Sequence, residues 1–459
     1  MFNWHYPFNS EKDLNEDRLA PYLCPQKTTV RRRAVYIHIP FCETICNFCP
    51  FRHDLHRSDA TIQRYLSALL DEIALKREFL GDVKVDAIFV GGGTPSLLSP
   101  QQIESLGETI LRSFDLHGLQ EFTFEVEVKS VSRDKLQAMH DIGVNRISFG
   151  AQTFSEKYRA LFSLDATRSQ ITAAAEVLNS MFPYTNVDLL YGMAGQKLDE
   201  LDDDVTAAMS LGTTTIDVYP INNLTAPRSM HSALTGAGLN ALPEALRVQF
   251  RMHLERRFRE LGYRPINGYG FSIAGDKCHD SADPVQHSPK FLYHDLVYGY
   301  EDDEIIGYGV SAISQMPGFN LYNFVSRQAY MSEVLTKRAL PHQVFGPIAA
   351  PERGIVSFPF RGVLDKSRVA WERVPDETWF ALEDALEAGL IADLEDRYVL
   401  TQVGWLFYVN LMYYFMPEVG KRRISNKIEC ERVSHACGDT DLTQLTRSSV
   451  TLLGGRRSF

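Results

Sequence analysis

Residues 34–49, AVYIHIPFCETICNFC, decide both the fold class and the chemistry expected of this chain. An apolar run with the composition of a buried strand ends at Pro40, and three cysteines follow, at Cys42, Cys46 and Cys49. A loop that leaves the carboxyl end of a strand is where α/β barrels build their sites. The Cys-x3-Cys-x2-Cys spacing therefore predicts three soft ligands at a functional position.

Three clustered thiolates suit a soft metal or an iron–sulfur cluster. Structural zinc sites usually have four ligands, often in two pairs, and no second pair or His-x3-His stands near this loop. A four-iron cluster held by three thiolates leaves one iron open to a small molecule. The competing reading is three buried cysteines in a core strand and turn, and a zinc-binding structural protein is a remote alternative.

Composition and charge exclude several classes of protein. The chain has 459 residues, of which 44% are hydrophobic and 23% charged, as in globular proteins. Its 47 basic and 58 acidic residues give a net charge of −11, whereas a general nucleic-acid binder needs a basic face. The first residues lack an apolar signal core, and no uncharged run approaches the ~18 residues of a membrane helix. We therefore expect a cytoplasmic protein with no nucleic-acid or membrane partner.

Hydrophobic periodicity predicts strands that alternate with amphipathic helices along the first 265 residues. The alternation implies parallel βαβ units in an α/β fold. The predicted strands cover 34–39, 85–90, 121–128, 145–152, 184–193 and 214–221. The predicted helices cover 61–80, 99–114, 132–143, 168–181, 199–212 and 243–262, with Ser99 as a cap and Gly143 as a stop.

The pattern weakens after residue 265, where 267–278 and 300–314 are Gly-rich and predict loop or short strand. Residues 376–415 predict a helix, a Gly-terminated turn, a short hairpin and a helix, which resembles a winged-helix domain. Because this segment is acidic, we expect it to cover substrate rather than bind DNA. The predicted divisions are an extension (1–30), a barrel (31–265), a connecting region (266–370), a C-terminal domain (371–420) and a polar tail (421–459).

Four phrases carry a resemblance to a known family. YIHIPFCETICNFC (36–49), GGGTP (91–95), RISFGAQTF (146–154) and NVDLLYGMAGQ (186–196) follow one another as in the radical SAM superfamily. They are most similar to the branch around oxygen-independent coproporphyrinogen III oxidase, and in kind to its class C methyltransferases. The resemblance implies a partial (β/α)6 barrel, open at one side, with a smaller, mainly helical, winged-helix-like C-terminal domain.

The resemblance also implies the cofactors, a [4Fe–4S] cluster on Cys42, Cys46 and Cys49 and one or two molecules of S-adenosylmethionine (SAM). One electron from the cluster would cleave SAM to methionine and a 5′-deoxyadenosyl radical. The implied cofactor-binding residues are Tyr36, Phe48, Gly92, Gly93, Thr94, Glu125, Gln152, Asp188, Tyr219 and Asn222, of which Gly93, Tyr219 and Asn222 would serve a second SAM.

Two of these roles also have a reason in the residues themselves. Glycine has no Cβ, so Gly91, Gly92 and Gly93 allow a ligand to approach the backbone and are expected to offer it free amides. A carboxylate such as that of Asp188 accepts hydrogen bonds from ribose hydroxyls well. The catalytic proton acceptor is not identifiable from the sequence.

Departures from the family pattern shape the choice of reaction. Phe51 stands where authentic coproporphyrinogen oxidases have a fourth cysteine, and Leu164 stands where relatives have an arginine, with Arg159 and Arg168 nearby. Residues 400–411, LTQVGWLFYVNL, resemble a C-terminal phrase of radical SAM methyltransferases, including haem-degrading ones. The leading hypothesis is thus a two-SAM C-methyltransferase or cyclopropanase. A tetrapyrrole enzyme is the second hypothesis, and a haem-binding chaperone is the third.

The expected partners follow from these hypotheses. The substrate would be a small molecule that is aromatic, heteroaromatic or a tetrapyrrole. Reduction of the cluster would require an electron donor such as flavodoxin or ferredoxin.

Overall fold

The computed structural model describes residues 6–7, 32–49, 54–55, 58–81, 83–221, 228–240, 242–273, 291–346 and 348–425. Asn222 and Phe51 lie outside these ranges, as do most of the predicted extension and polar tail.

The six predicted parallel strands form the centre of the fold. Each is rich in β-branched and aromatic residues and is buried along most of its length. The strands of this first part are β1 Arg32–Ile39, β2 Phe41–Cys42, β3 Asp54–Leu55, β4 Val83–Lys84, β5 Ala87–Gly92, β6 Phe114–Asp115, β7 Glu121–Val126, β8 Arg146–Gln152, β9 Tyr184–Tyr191 and β10 Thr215–Pro220. The order β10-β9-β8-β7-β5-β1 confirms the α/β prediction of successive parallel βαβ units.

Helices connect these strands where the periodicity predicts them. Ser58 caps the first helix by accepting from the Thr61 amide, and Ser99 forms a capping box with Gln102. The helices of this part are α1 Asp59–Leu80, α2 Pro100–Ser113, α3 Arg133–Asp141, α4 Glu156–Phe162, α5 Arg168–Met181, α6 Leu198–Ser210, α7 Arg228–Gly236 and α8 Glu244–Glu260.

The sheet continues beyond the six strands on both sides. Within the described residues, twelve strands form one sheet that runs from β11 to β16. The added strands are β11 Tyr263–Pro265, β12 Gly270–Ile273, β13 Asp303–Tyr308, β14 Ile313–Met316, β15 Phe319–Asn323 and β16 His342–Phe345. The helices of this region are α9 Leu292–Val297 and α10 Arg327–Leu335.

Within 300–314, where loop or short strand is expected, the structure has the six-residue strand β13. β13 is buried throughout and pairs in parallel with β1, so it is a central strand of the sheet. Its acidic residues are neutralised by arginines at the same register, because Arg32 binds Asp303 and Arg33 binds Glu304. Because both carboxylates are paired with arginines, the burial of this strand leaves neither of its two acids as an unpaired charge.

The C-terminal region has the predicted winged-helix-like order of elements. Gly389, at φ +67°, lies in the turn between the helix Asp376–Glu387 and the hairpin that follows it. The elements are α11 Arg353–Arg361, β17 Val363–Asp365, α12 Asp376–Glu387, β18 Ile391–Asp393, β19 Arg397–Leu400, α13 Gln402–Leu406 and α14 Tyr408–Tyr414, with sheet order β17-β19-β18. A hydrophobic cluster separate from that of the barrel unites these elements with α9.

The structure also bears on membrane association. None of the helices in the described part of the chain combines the length and the apolarity needed to cross a bilayer.

Candidate active site

The three cysteines lie on the loop that follows β1, at the carboxyl end of the parallel strands. Cys42 ends the short strand β2, and Cys46 and Cys49 follow in a turn closed by the Cys49 amide on the Cys46 carbonyl at 3.1 Å. None of the three is in a disulfide, and all three are partly exposed. They are thus available as ligands on one short loop.

Two residues between the cysteines anchor this loop to α4. The Asn47 side chain donates to the Leu161 carbonyl at 3.1 Å and to Ser163 Oγ at 3.2 Å. Phe48 packs edge-on against Phe162, with ring centroids 5.5 Å apart. Phe48 therefore supports the loop. The anchoring role of Asn47 was missed in the sequence, and its position between two ligand cysteines was the available signal.

The donor set fits an iron–sulfur cluster better than a single ion. Among the residues that the structure describes, no group of three His, Cys, Asp or Glu side chains is placed to hold one metal ion. In a four-iron cluster each thiolate binds a different iron, so the sulfur atoms lie farther apart than around one ion. Three cysteines outside disulfides on one partly exposed loop suit that arrangement.

Burial and acidic neighbours favour the neutral form of two of the thiols. Burial raises the pKa of Cys42, against a hydrogen bond from Thr94. Burial and the nearby Cys42 and Glu127 raise the pKa of Cys46 to about 11. A bound cluster would supply the positive charge that favours the thiolate form.

The glycine segment holds the cysteine loop in place. A Cβ on Gly93 would lie 2.6 Å from the Phe41 carbonyl oxygen, so only glycine fits against the backbone there. The Gly93 amide donates to the Ile39 carbonyl at 2.7 Å, and the Thr94 amide donates to Phe41 at 2.6 Å. The Gly92 amide donates to Glu125 at 3.0 Å. These amides are engaged within the protein, which corrects the expectation of free donors for a ligand.

Carboxyl groups from three strands form a layer inside the barrel. Glu125 lies on β7, Asp188 on β9 and Asp217 on β10, where Asp217 stands at the register of Asp188. Burial raises the pKa of Glu125 to about 7, opposed by the Gly92 amide and by Arg146. Burial and the charge of Asp217 raise the pKa of Asp188 well above its usual range. A cation bound beside this layer would favour the ionised form of these carboxyl groups.

A polar ladder beneath this layer orients Asp188. The Asn186 amide group donates to Asp188 Oδ1 at 2.7 Å and to Ser148 Oγ at 3.0 Å. Thr215 in turn donates to the Asn186 amide oxygen at 2.7 Å. The ladder fixes one oxygen of the Asp188 carboxylate, which stays partly exposed.

Gln152 owes its position to an irregular strand end. The register of β8 against β9 shifts between Gly150 and Gln152, and Gln152 has φ +65°. A left-handed conformation is unfavourable for a residue with a Cβ, and a bulge re-aims the side chain that carries it. Such strain is found at functional sites more often than elsewhere.

Tyrosines complete the interior. The Tyr36 hydroxyl is 2.8 Å from His38 Nδ1, and its ring stacks on Phe89 and Tyr293 with centroids 6.1 and 6.0 Å apart. Tyr219 donates to Asp217 Oδ2 at 3.2 Å and lies 4.5 Å from the Tyr269 ring. Burial raises the pKa of Tyr36 and Tyr219, yet each ring keeps partial exposure, so both line an internal space.

Aromatic rings continue from this space into the C-terminal region. Tyr269 contacts Phe360 of α11 edge-on, with centroids 5.4 Å apart. Phe360 in turn packs on Tyr298 at 3.8 Å and on Tyr408 of α14 at 6.3 Å. The aromatic wall, defined as Tyr219, Tyr269, Phe360, Tyr298 and Tyr408, thus joins the barrel interior to the second hydrophobic cluster.

The structure therefore groups the sequence-predicted residues into two sets. Gly93 and Thr94 lie against the cysteine loop, and Phe48 belongs to that loop. The interior set, which shares the carboxyl layer, comprises Tyr36, Gly92, Glu125, Gln152, Asp188 and Tyr219. Sequence reasoning missed Asp217 and Arg146, although a charged residue at an inward position of an apolar strand was a usable signal in both cases.

The fold and this site define a class of protein. Residues 36–208 match the family model of the Radical SAM superfamily. That superfamily implies a [4Fe–4S] cluster and SAM. The relatives include the heme chaperone HemW and oxygen-independent coproporphyrinogen III oxidase, which is consistent with the branch that the resemblance predicted.

Two relatives and one solved structure illustrate this placement. The heme chaperone HemW of Bacillus subtilis is 25% identical over 84% of this chain and 100% of its own length. The anaerobilin synthase of Escherichia coli O157:H7 is 31% identical over 48% of this chain and 50% of its own. The coproporphyrinogen III oxidase HemN of Escherichia coli shares the fold, with a TM-score of 0.72, 21% identity and coverage of 89% of this chain and 94% of its own.

Proposed function

We propose that this protein is a radical SAM enzyme that acts on a tetrapyrrole, with haem as the first candidate substrate. The observation that carries the proposal is the packing of Gly93 and Thr94 against the loop of Cys42, Cys46 and Cys49, directly above the carboxyl layer. This arrangement brings the cluster ligands and the SAM-binding residues of the family to one end of the barrel.

The protein's own residues bind and orient the cofactors. When bound, the cluster supplies the electron that cleaves SAM, and that chemistry belongs to the cofactors. Cys42, Cys46 and Cys49 hold the cluster, while Asp188 accepts hydrogen bonds from the ribose hydroxyls. Glu125 faces the cationic part of SAM, whose charge favours the ionised carboxylate.

The aromatic wall supports a flat, conjugated substrate. Tyr219 and Tyr269 are partly exposed rings at the barrel end of the wall, and the other rings reach α11 and α14. Aromatic side chains bind planar ligands by offset stacking at large apolar contact area. The name of the anaerobilin synthase and that of the heme chaperone agree with a tetrapyrrole ligand.

The reaction we favour is carbon–carbon bond formation with a second SAM as methyl donor. Its support is the phrase at 400–411, which resembles radical SAM methyltransferases, and the match to anaerobilin synthase. The second SAM would lie near Gly93, Tyr219 and Asn222. The relatives as a group do not by themselves support methylation.

Oxidative decarboxylation of a porphyrinogen is disfavoured by two residues. Phe51 replaces the fourth cysteine of that enzyme class, and Leu164 replaces its arginine. Arg159 does not substitute for the latter, because its guanidinium donates to the Ala151 and Thr153 carbonyls at 3.0 and 2.8 Å.

A haem chaperone is the second candidate. The specific observation in its favour is that HemW aligns with this chain over the whole of its own length. A chaperone would bind haem in the same space but would not turn over SAM.

Product analysis separates these functions. The protein is reconstituted anaerobically with iron and sulfide, reduced with dithionite and mixed with haem and methyl-deuterated SAM, and products are identified by mass spectrometry. We expect 5′-deoxyadenosine, S-adenosylhomocysteine and a tetrapyrrole that carries deuterium. Deoxyadenosine and a tetrapyrrole without added methyl would contradict methyl transfer. Haem binding without any SAM cleavage would overturn the enzyme proposal in favour of the chaperone.

A further inference from the structure

Asp217 is a buried acid of the site that no family motif assigns. Its side chain is 1% exposed and points into the barrel from β10. Asp217 Oδ2 accepts from the Tyr219 hydroxyl at 3.2 Å, whereas Oδ1 has no hydrogen-bond partner in the described part of the chain. Burying a carboxylate with one unsatisfied oxygen costs free energy of folding, and a functional role is one explanation for keeping such a group.

The surroundings of Asp217 keep its position fixed. A Cβ on Gly270 would lie 2.6 Å from Asp217 Oδ1, so the glycine backbone packs directly on the carboxyl group. Because Asp217 and Tyr219 are two residues apart on one strand, both point to the interior. Tyr219 is the second-last residue of β10 and therefore stands nearer the active end of the barrel than Asp217.

We infer that Tyr219 and Asp217 form a proton relay for the substrate, an inference that rests on the proposed function. The substrate's C–H or N–H bond breaks with its electron pair left on the substrate, and the proton bonds to the Tyr219 oxygen. The hydroxyl proton of Tyr219 passes at the same time to Asp217 Oδ2. Asp217 thus gains one proton, the substrate loses one, and no electron leaves the substrate in this step.

The proposed reaction needs a group that accepts a proton from the substrate. When a carbon radical adds to an sp2 carbon that carries hydrogen, that carbon becomes sp3, and it must lose a proton to become sp2 again. The unpaired electron stays on the substrate in this step. The relay supplies an acceptor in the interior of the protein, where Asp217 is 1% exposed, and the proton returns to solvent by the same path when product leaves. Tyr219 is the group that meets the substrate, and Asp217 acts through it.

Charged groups from every neighbouring strand set the proton affinity of the relay. Burial raises the pKa of Asp217, and Arg146 on β8 and the Tyr219 hydrogen bond oppose that rise. Asp188 on β9 faces Asp217, and its pKa is raised by burial and by the charges of Asp217 and Glu125.

Neutral groups complete the surroundings. Tyr269 packs on the Tyr219 ring from the loop before β12, and Asn186 and Thr215 lie one pleat deeper. Since the carboxylate form is the acceptor, product formation should rise with pH through the raised pKa of Asp217.

Matched variants test the relay. Tyr219→Phe and Asp217→Asn are compared with Tyr263→Phe, a buried tyrosine of β11 that packs on Phe258 with centroids 5.6 Å apart. We expect each relay variant to form roughly 100-fold less product per 5′-deoxyadenosine, in line with loss of general-base catalysis. The rise of activity with pH should disappear in Asp217→Asn. Tyr263→Phe should match the wild type in both measurements.

A second readout does not depend on turnover. Infrared titration of the cluster-free protein follows the Asp217 carboxyl band, which Asp217→Asn identifies by its loss. In Tyr219→Phe this band should titrate at higher pH, because the hydrogen bond that favours the carboxylate is gone. If Asp217→Asn fails to fold, Tyr219→Phe, which removes one hydroxyl, carries the test alone.

The possible outcomes test the relay separately from the proposed function. Wild-type product yield and an unchanged pH profile in Tyr219→Phe would overturn the relay while leaving the enzyme intact. If the wild type does not cleave SAM, the proposed function fails, and an unchanged infrared titration in Tyr219→Phe would then refute the Tyr219–Asp217 coupling as well.

Discussion

At the scale of single residues, the account depends most on the thiol ligands. We predict that Cys46→Ala abolishes the cluster absorbance and with it all SAM cleavage, because two thiolates do not hold a four-iron cluster in a position to bind SAM. Visible absorbance after anaerobic reconstitution and 5′-deoxyadenosine assays measure both. Cys278→Ala is the matched control and should keep the wild-type iron content. Full SAM cleavage by Cys46→Ala would refute the ligand assignment.

The role of Asp188 is separable from the cluster. Asp188→Ala removes the acceptor for the ribose hydroxyls, so SAM should bind 10-fold or more weakly, about 1.4 kcal/mol or more, as for hydrogen bonds to a charged group. Calorimetry on the reconstituted protein measures the affinity, and the absorbance should stay that of the wild type. Asp134→Ala, an exposed acid of α3, should have no effect. Equal SAM affinity in both variants would contradict the ribose role.

Some of these residues could be predicted from the sequence and others could not, because only some of them are neighbours along the chain. Cys42, Cys46 and Cys49 stand on one loop, so their spacing along the chain predicts their proximity. The role of Asp217 depends on its neighbours Asp188 and Tyr219. Asp188 lies on another strand. Contacts made across strands leave little trace in the local pattern.

At the scale of elements, the close contact between β5 and the cysteine loop is the feature most open to test. Gly93→Ala would place a methyl group 2.6 Å from the Phe41 carbonyl oxygen, so the loop must shift, at a cost of roughly 1–3 kcal/mol. We predict reduced iron incorporation and SAM cleavage in this variant.

The control is Gly236→Ala in α7, where an added Cβ meets nothing within 4 Å. Iron content after reconstitution and the midpoint of urea unfolding compare the two variants. If Gly93→Ala retains a full cluster, the glycine segment does not position the loop.

The attachment of β13 to β1 predicts a pH-dependent stability. Burial would raise the pKa of Asp303, but Arg32 and Arg368 lower it to about 2. A carboxyl group whose pKa is lower in the folded state stabilises the fold above its unfolded pKa and loses that effect as pH falls through the folded pKa. The shift from 3.8 to about 2 corresponds to about 2 kcal/mol at pH 7.

Asp303→Asn should therefore destabilise the protein by about 2–4 kcal/mol at pH 7, and the difference from the wild type should narrow between pH 4 and pH 2. Urea unfolding at pH 7 and pH 3 measures this. Asp71→Asn, which breaks the exposed pair with Arg338, should cost less than about 1 kcal/mol. A pH-independent effect of Asp303→Asn would show that its charge does not stabilise the sheet.

The central position of β13 could not be predicted from the sequence. The helices and the six parallel strands follow from periodicity, because each buries one face against its neighbours in sequence. The segment that forms β13 begins with Asp303 and Glu304, which predict exposure. The arginines that neutralise them stand 271 residues earlier, so the local pattern does not contain the compensation.

At the scale of the whole molecule, one sheet carries the site and joins it to the C-terminal region. The parallel strands place the cysteine loop, the glycine segment and the carboxyl layer at one end. The additional strands and α9 bring Tyr293, Tyr298 and the rings of α11 and α14 to the same interior space. Two hydrophobic clusters thus border this space: one belongs to the parallel strands and their helices, and the other includes the C-terminal elements.

The most direct test of the central claim is Mössbauer spectroscopy of iron-labelled protein, reconstituted anaerobically, before and after SAM is added. The account predicts a four-iron cluster in which one iron changes its signal when SAM binds, because three thiolates leave that iron without a protein ligand. Absence of a four-iron cluster, or a cluster whose four irons are all unaffected by SAM, would contradict it.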